Sequence, residues 1–422
     1  MFQQISDLMF YIIKPFAVKV LKKNGYPEDA IERKCGIIPE EGFSKEDNVI
    51  MFHGVSVGEA VALENLIKRT RKEFPEAKIV VTTGTFTGQE IAKKKLGGKY
   101  GDNGEPTEPP VADLITYFPA DFPHIIKKFL DKVNPSTVMI AETEIWPNFA
   151  MECKKRGINL YIINGRISDS TFKSYNALRW IFRYFLSFYT GIFTQSDDDN
   201  NKFLKLGANA ETTKRMNNLK FDIKKPEGVN FNKGNARVLL AGSTHQGEDK
   251  IVLDLFKKLK EKHSDLKLIL APRHLTRTEE VKELISQTGF SFDLRSNNRD
   301  NLEGIDILQL DTLGELGKMY EHSDISFIGG SFNKTGGHNP LESIVWGKPV
   351  ISGPSTHNFK DIYNIIKNAH AGFVVKDENE FFEITDKMLS DKEFYDKTVK
   401  AGTQVFEEQQ GALDFVINVL RG

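Results

Sequence analysis

The segment Phe327–Ser343, "FIGGSFNKTGGHNPLES", collects the residue types that hold a phosphate ester. An apolar run closes at Gly329–Gly330 and a loop carries Gly336 and Gly337. His338 and Asn339 follow, and Pro340 stands where the first turn of a helix accepts it. Backbone N–H groups at a helix start favour an anion, and glycines let one approach closely. Glu342, in that first turn, is placed to accept hydrogen bonds from ribose hydroxyls. A glycine-rich turn with a capping glutamate has the same composition. The spacing matches neither a dinucleotide fingerprint nor a P-loop.

Other segments carry similar chemistry. "LAGSTHQGED" contributes Ser243 and Thr244, and "LAPRHLTR" contributes Arg273 and His274, a guanidinium able to clamp a phosphate or carboxylate. "HGVSVGEA" supplies His53, Ser56 and Glu59. Capping accounts for Ser56 and Glu59, but not for His53. Thr83 lies in the hydroxyl-rich "TTGTFTGQE", which suits a polyhydroxy ligand. In "AETEIWPN", Glu142 and Glu144 stand at i and i+2, on one side of a strand end. Two carboxylates there are costly unless they bind something. Arg166 and Ser168 sit in "NGRIS". The acidic "SDDDN" at Ser196–Asn200 reads as a helix cap rather than a metal site.

The elements that must position these residues follow a strand–helix alternation. Buried-strand candidates are "VIMFHG", "KIVVTTG", "LITYFP", "TVMIAET", "LYIING" and "GIFTQS", each followed by helical periodicity. After the polar linker "FDIKKPEGVNFNKGNAR", "RVLLAGS", "LKLILAP", "IDILQL", "DISFIGG", "KPVISGP" and "AGFVVKD" restart the pattern. This predicts an α/β protein with two tandem Rossmann-like domains and parallel sheets. The expected boundaries are an N-terminal helix at 1–24, a first domain at 25–222, a linker at 223–236 and a second domain at 237–403. A last helix at 404–422 is expected to pack back on the first domain. The chemistry-bearing segments all fall at the carboxyl ends of strands, where ligands bind in such sheets. Residues 96–113 form a Gly/Pro-rich insert expected to be a mobile surface loop.

With 57 basic and 58 acidic residues the chain is near neutral, and nothing argues for nucleic acid. Cys35 and Cys153 lack any paired or metal-ligand spacing, which fits a reducing compartment. "LMFYIIKPFAVKVLKK" (Leu8–Lys23) is too short an apolar run to span a bilayer and lacks a cleavage signal. Its Lys14, Lys19, Lys22 and Lys23 beside an apolar face suit a helix lying at an anionic membrane surface.

Taken together, "ERKCG", "HGVSVGE", "TTGTFTG", "AETEIWPN", "NGRIS", "NLKFD", "STHQGE", "APRH", "GGSFNKTGGHNPLE" and "GPSTHNFKDI", in this order, resemble the 3-deoxy-D-manno-oct-2-ulosonic acid (Kdo) transferases of lipopolysaccharide assembly. The resemblance implies a GT-B fold whose two domains face a central cleft. It also implies inverting transfer of Kdo from CMP-Kdo to a lipid A precursor (lipid IVA), at the cytoplasmic face of the inner membrane. By the same resemblance, Glu32 is the general base and the APRH and GGHNPLE segments bind the donor. The leaving CMP would be held by N–H groups near Gly336–Asn339 and by Arg273, with no metal or other cofactor. Arg166, Lys334 and Lys360 are candidates for the Kdo carboxylate. Where family members carry Gly-Ser before LKFD, this chain has Asn217–Asn218. The alternatives are another GT-B-fold enzyme, such as a UDP-GlcNAc 2-epimerase, and a sugar-nucleotide-binding scaffold without catalysis.

Overall fold

A computed structural model of the 422-residue chain describes residues 2–35, 42–100 and 106–422, with backbone only for residues 2–9, 11, 12, 100 and 106. The centre of the 96–113 insert and Gly36 of the ERKCG motif lie outside the described residues. Two compact units form: residues 1–222 together with 410–422, and residues 223–409.

In the first unit the strands are β1 (Val49–Gly54), β2 (Lys78–Thr83), β3 (Lys99–Tyr100), β4 (Pro106–Glu108), β5 (Leu114–Tyr117), β6 (Thr137–Ala141), β7 (Asn159–Gly165), β8 (Gly191–Thr194) and β9 (Thr213–Arg215). Strands β3 and β4 pair with each other; the other seven make a parallel sheet in the order β5-β2-β1-β6-β7-β8-β9. Every residue of β1 is buried, as helices on both faces of a parallel sheet require. Its pleat sends Val49 and Met51 into one apolar cluster with Ile140 and Phe149. Ile50 and Phe52 go into the other, against Leu63, Leu66 and Ile67 of the helix Val57–Glu73. The chain adds strands on one side of β1, then crosses to β6, so the order reverses between β1 and β6.

The second unit repeats the design with β10 (Arg237–Thr244), β11 (Leu266–Pro272), β12 (Phe292–Leu294), β13 (Ile307–Gln309), β14 (Ile325–Ile328), β15 (Val350–Ser352) and β16 (Gly372–Val374), all parallel. The order β12-β13-β11-β10-β14-β15-β16 reverses between β10 and β14. Leu239 and Ala241 pack with Leu253, Phe256, Phe327 and Phe381.

Four details refine the sequence expectations. The helix Phe2–Lys23 runs through Pro15. The helix predicted over 404–422 is two: Lys392–Gln409 ends the second unit, Gly411 turns at φ +94°, and Ala412–Arg421 joins the first. Asp222 anchors that last helix by accepting from the Gly411 and Leu413 amides. Asn217 has φ +70°, a left-handed conformation that glycine and asparagine tolerate, which accounts for asparagine at that position.

Candidate functional site

Each unit carries its chemistry where its strand order reverses, so the two sites are described separately.

In the first unit, β1 ends on His53–Gly54 and Ser56 caps the next helix, accepting from the Glu59 amide at 3.4 Å. Glu59 turns back to accept from the Val55 amide and, at 3.0 Å, from the Ser56 hydroxyl. The capping box forms, but it does not exhaust Glu59. Across the reversal point β6 stops at Ala141, earlier than the i, i+2 reading supposed, and Glu142 takes φ +60°. That left-handed residue turns the chain so that Glu59, Glu142 and Glu144 act on one another. Burial raises the Glu59 pKa, and the Glu142 charge raises it further. Burial, then the charges of Glu59 and Glu142, push Glu144 up to about 7. A carboxyl held near neutrality at a strand-order reversal is suited to taking or giving a proton.

Beside it, the short helix Glu28–Lys34 presents Glu32 exposed to solvent. Its neighbour Arg33 donates to the Thr116 hydroxyl at 3.3 Å. Lys34 lies between the rings of Tyr26 and Tyr117, 5.7 and 5.6 Å from their centroids, and burial lowers its pKa to about 8. Arg166 is half-buried just past β7, and Ser168 caps the helix Asp169–Ala177. Asp199 of the acidic run accepts from the Ile167 amide and the Ser196 hydroxyl, and no metal-binding cluster occurs among the described residues.

Two expected ligand contacts in this unit need correction. Thr83 is 1% exposed and donates to Gln89 Oε1 at 2.6 Å, so its hydroxyl is used in packing. His53 is fully buried rather than open in a loop. Burial drives its pKa to about 3, so the ring is neutral.

In the second unit, Gly329 lies so close to the Ser243 carbonyl that a Cβ would come within 2.4 Å of it. Ser243, at φ +55°, bends the end of β10 toward that contact. The bend brings His245 Nε2 within 2.8 Å of His338 Nε2, with rings stacked 5.1 Å apart, and His274 meets His245 edge-on. Arg273 is exposed beside them. Burial and then Arg273 lower the His338 pKa to about 4, so that ring is neutral; burial lowers the His245 pKa as well, and Arg273 is the fixed cation of the group. Glu342 reaches solvent; the packing around its carboxyl raises its pKa, and Arg273 opposes the rise. Gly336, at φ +99°, leaves room for the His357 ring, which a Cβ would meet at 2.4 Å.

The phosphate-cradle expectation is corrected here in part. The Gly337 and His338 amides donate to the carbonyls of Gly330 and Gly329, at 2.7 and 3.2 Å. The Asn339 side chain caps Leu341, at the start of a helix of only four residues. The amides of Gly330, Ser331 and Phe332 are already occupied by the buried carboxylate of Glu248. Two of the four amides of the expected Gly336–Asn339 cradle are therefore already taken within the protein. Thr244 is likewise buried, giving its hydroxyl to Asp249 at 2.6 Å. Lys334 and Lys360 are both exposed, on the loop before Gly336 and at the first residue of the helix Lys360–Asn368. Glu248 itself was missed from sequence; its signal was the first acid of the Glu248–Asp249 pair following the STHQG loop.

Residues 29–223 match the family described as 3-deoxy-D-manno-octulosonic-acid transferase (kdotransferase), and residues 230–405 match glycosyl transferases group 1. The 3-deoxy-D-manno-octulosonic acid transferase of Haemophilus influenzae is 31% identical over 381 residues, 88% of this chain and 86% of that protein. A bifunctional glycosyltransferase/methyltransferase of Fusobacterium nucleatum is 34% identical over 361 residues, 82% of this chain; the chain spans 54% of that longer protein. Among solved structures, UDP-GlcNAc 2-epimerase from Neisseria meningitidis bound to UDP-GlcNAc aligns over 89% of this chain and all of that one, with a TM-score of 0.54 and 14% identity.

Proposed function

Since the chain belongs to the 3-deoxy-D-manno-octulosonic acid transferase family, we propose that it transfers Kdo from CMP-Kdo to a hydroxyl of a lipid A precursor, with inversion at the anomeric carbon. The observation that carries this is the 31% identity to the Haemophilus influenzae enzyme along most of both chains. The epimerase shares the fold alone, at 14% identity. The methyltransferase function of the Fusobacterium nucleatum protein is not carried over to a chain spanning about half of it.

Chemically, a base removes the proton of the acceptor hydroxyl as its oxygen attacks the anomeric carbon. The bond to the CMP phosphate oxygen breaks, and CMP leaves as an anion. Arg273, flanked by His245, His274 and His338, supports a role in holding that phosphate. A guanidinium there meets the leaving charge without a divalent cation. Glu32 is the base by family resemblance; Glu144, with its pKa raised to about 7, is the rival.

The helix Phe2–Lys23 exposes Ile13, Phe16 and Val20 on one side, among Lys14, Lys19, Lys22 and Lys23. No helix among the described residues is long and apolar enough to cross a membrane. This supports attachment of the helix to the surface of the cytoplasmic leaflet, where a lipid acceptor is met.

The test is a transfer assay with CMP-Kdo generated in situ and tetraacylated lipid A precursor, comparing wild type, Glu32→Ala and Glu144→Gln. Loss of transfer with retained CMP binding in Glu32→Ala alone supports Glu32 as base. Loss in Glu144→Gln alone moves the role to Glu144.

A further inference from the structure

His245 and His338 meet through like atoms. Nε2 of one lies 2.8 Å from Nε2 of the other, and the ring planes are within 7° of parallel. The backbone enforces this meeting. One carboxylate oxygen, Glu248 Oε2, accepts from the His245 amide at 2.9 Å and from the Gly330 amide at 2.7 Å, tying together the loops that carry the two rings. Gly330, at φ +70°, lets the His338 ring lie where a Cβ would stand only 3.0 Å from it.

Two nitrogens at that distance share one hydrogen, so the protons of the pair can be counted. The ring that donates through Nε2 has no hydrogen on Nδ1 while it is neutral. The ring that accepts at Nε2 carries its hydrogen on Nδ1. A neutral pair therefore always presents one bare Nδ1 acceptor, and neither Nδ1 has a hydrogen-bond partner among the described residues.

The surroundings keep the pair neutral. Burial, then the charges of Arg273, His245 and His274, hold the His338 pKa at about 4. On His245 burial again lowers the pKa most; Glu248 opposes it, and His274, Arg273 and Arg277 add to the lowering. Glu342, the other acid of the group, interacts with Arg273. A bare acceptor is a poor neighbour for a phosphate oxygen, which also only accepts. Protonation turns that Nδ1 into a charged donor, and a phosphate then gains a charge-assisted hydrogen bond beside Arg273.

We propose that the His245–His338 pair takes up one proton from solvent when the phosphate of CMP binds, and releases it when CMP departs. The proposal rests on the reading of Arg273 as a phosphate ligand and deepens it: Arg273 supplies a fixed charge, and the pair supplies one that exists only while the anion is present. Binding and proton uptake favour each other by the same factor, so CMP affinity falls as pH rises above neutrality. In the transfer step the bond from the anomeric carbon to the phosphate oxygen breaks and its electron pair stays on that oxygen. The protonated pair donates a hydrogen bond to the charge so formed.

The test is calorimetric titration of the full chain with CMP at pH 7.5, in buffers of different ionisation enthalpy; the dependence of the heat on the buffer counts the protons exchanged. About one proton is expected to enter per CMP bound, with affinity falling about five- to tenfold between pH 7.5 and 8.5. His338→Asn, which cannot titrate in this range, is expected to exchange close to none and to bind with an affinity independent of pH. A measurement on the wild type alone removes any dependence on that variant. The phosphorus NMR shift of bound CMP is expected to be that of the dianion, so that the proton resides on the protein. Binding without proton uptake, uptake that survives in His338→Asn, or a protonated phosphate overturns the proposal and leaves the nucleotide site standing. Absence of CMP binding to the wild type overturns the nucleotide reading itself, and the proposal with it.

Discussion

Neutralising Glu144 should make the protein more stable at pH 8 and leave it unchanged near pH 4.5. Its carboxyl is raised from a usual value of about 4.5 to about 7, by burial and by the charges of Glu59 and Glu142. A folded-state pKa above the unfolded one means that the folded state holds the proton more tightly. The associated stability is complete below the unfolded value and is lost as pH rises through about 7. At about 1.4 kcal/mol per pH unit the full difference is roughly 3 kcal/mol. Partial exposure and solvent screening reduce this to ~1–2 kcal/mol. Glu144→Gln cannot ionise and escapes that loss, so its thermal midpoint should exceed wild type by roughly 2–6 °C at pH 8. Calorimetry at both pH values, with Glu59→Gln as a second variant that relieves part of the same repulsion, provides the assay. An equal shift at the two pH values, or a lower midpoint for Glu144→Gln at pH 8, would refute the electrostatic account, because ionised Glu144 would then be making a favourable contact.

Glu248→Ala leaves the amides of Gly330, Ser331 and Phe332 without their shared acceptor; a loss on the order of 3–5 kcal/mol is expected in urea unfolding of the second unit. Arg273→Ala removes the cation beside the three histidines and should weaken CMP binding about ten- to a hundredfold by calorimetric titration, with little change in thermal midpoint. Phe16→Glu places a charge on the most exposed of the described apolar side chains of the N-terminal helix and should reduce sedimentation with anionic vesicles severalfold. If Arg273 meets the leaving-group charge as proposed, treatment with EDTA should leave the transfer rate unchanged; a loss restored by added magnesium would contradict that role.

Much of the fold was legible because a parallel sheet covered on both faces writes its strands as unbroken apolar runs. "VIMFHG" and "LKLILAP" coincide with β1 and β11 to the residue. The edge strands β9 and β12 were not legible. They have three residues each, and Lys214 and Arg215 of β9 are exposed on the open edge. Hydroxyls misled for a related reason. Thr83 and Thr244 look like loop residues from their neighbours, but each is the last residue of a strand paired on both sides, which buries it. The carboxylates near the β1–β6 reversal were recognisable as unusual, whereas their coupling to Glu59 depends on a left-handed Glu142 that no local pattern announces. Glu248 reads as an acid at a helix start, complementing the dipole. Its partners lie 82 to 84 residues away, beyond the reach of any local signal.

The most direct test of the central claim is mass spectrometry of the lipid product after wild-type protein is incubated with CMP-Kdo and tetraacylated lipid A precursor. Release of CMP with addition of at least one Kdo residue to the lipid is the predicted result. An unmodified lipid, together with epimerisation of UDP-GlcNAc supplied in parallel, would contradict it and leave only the shared fold standing.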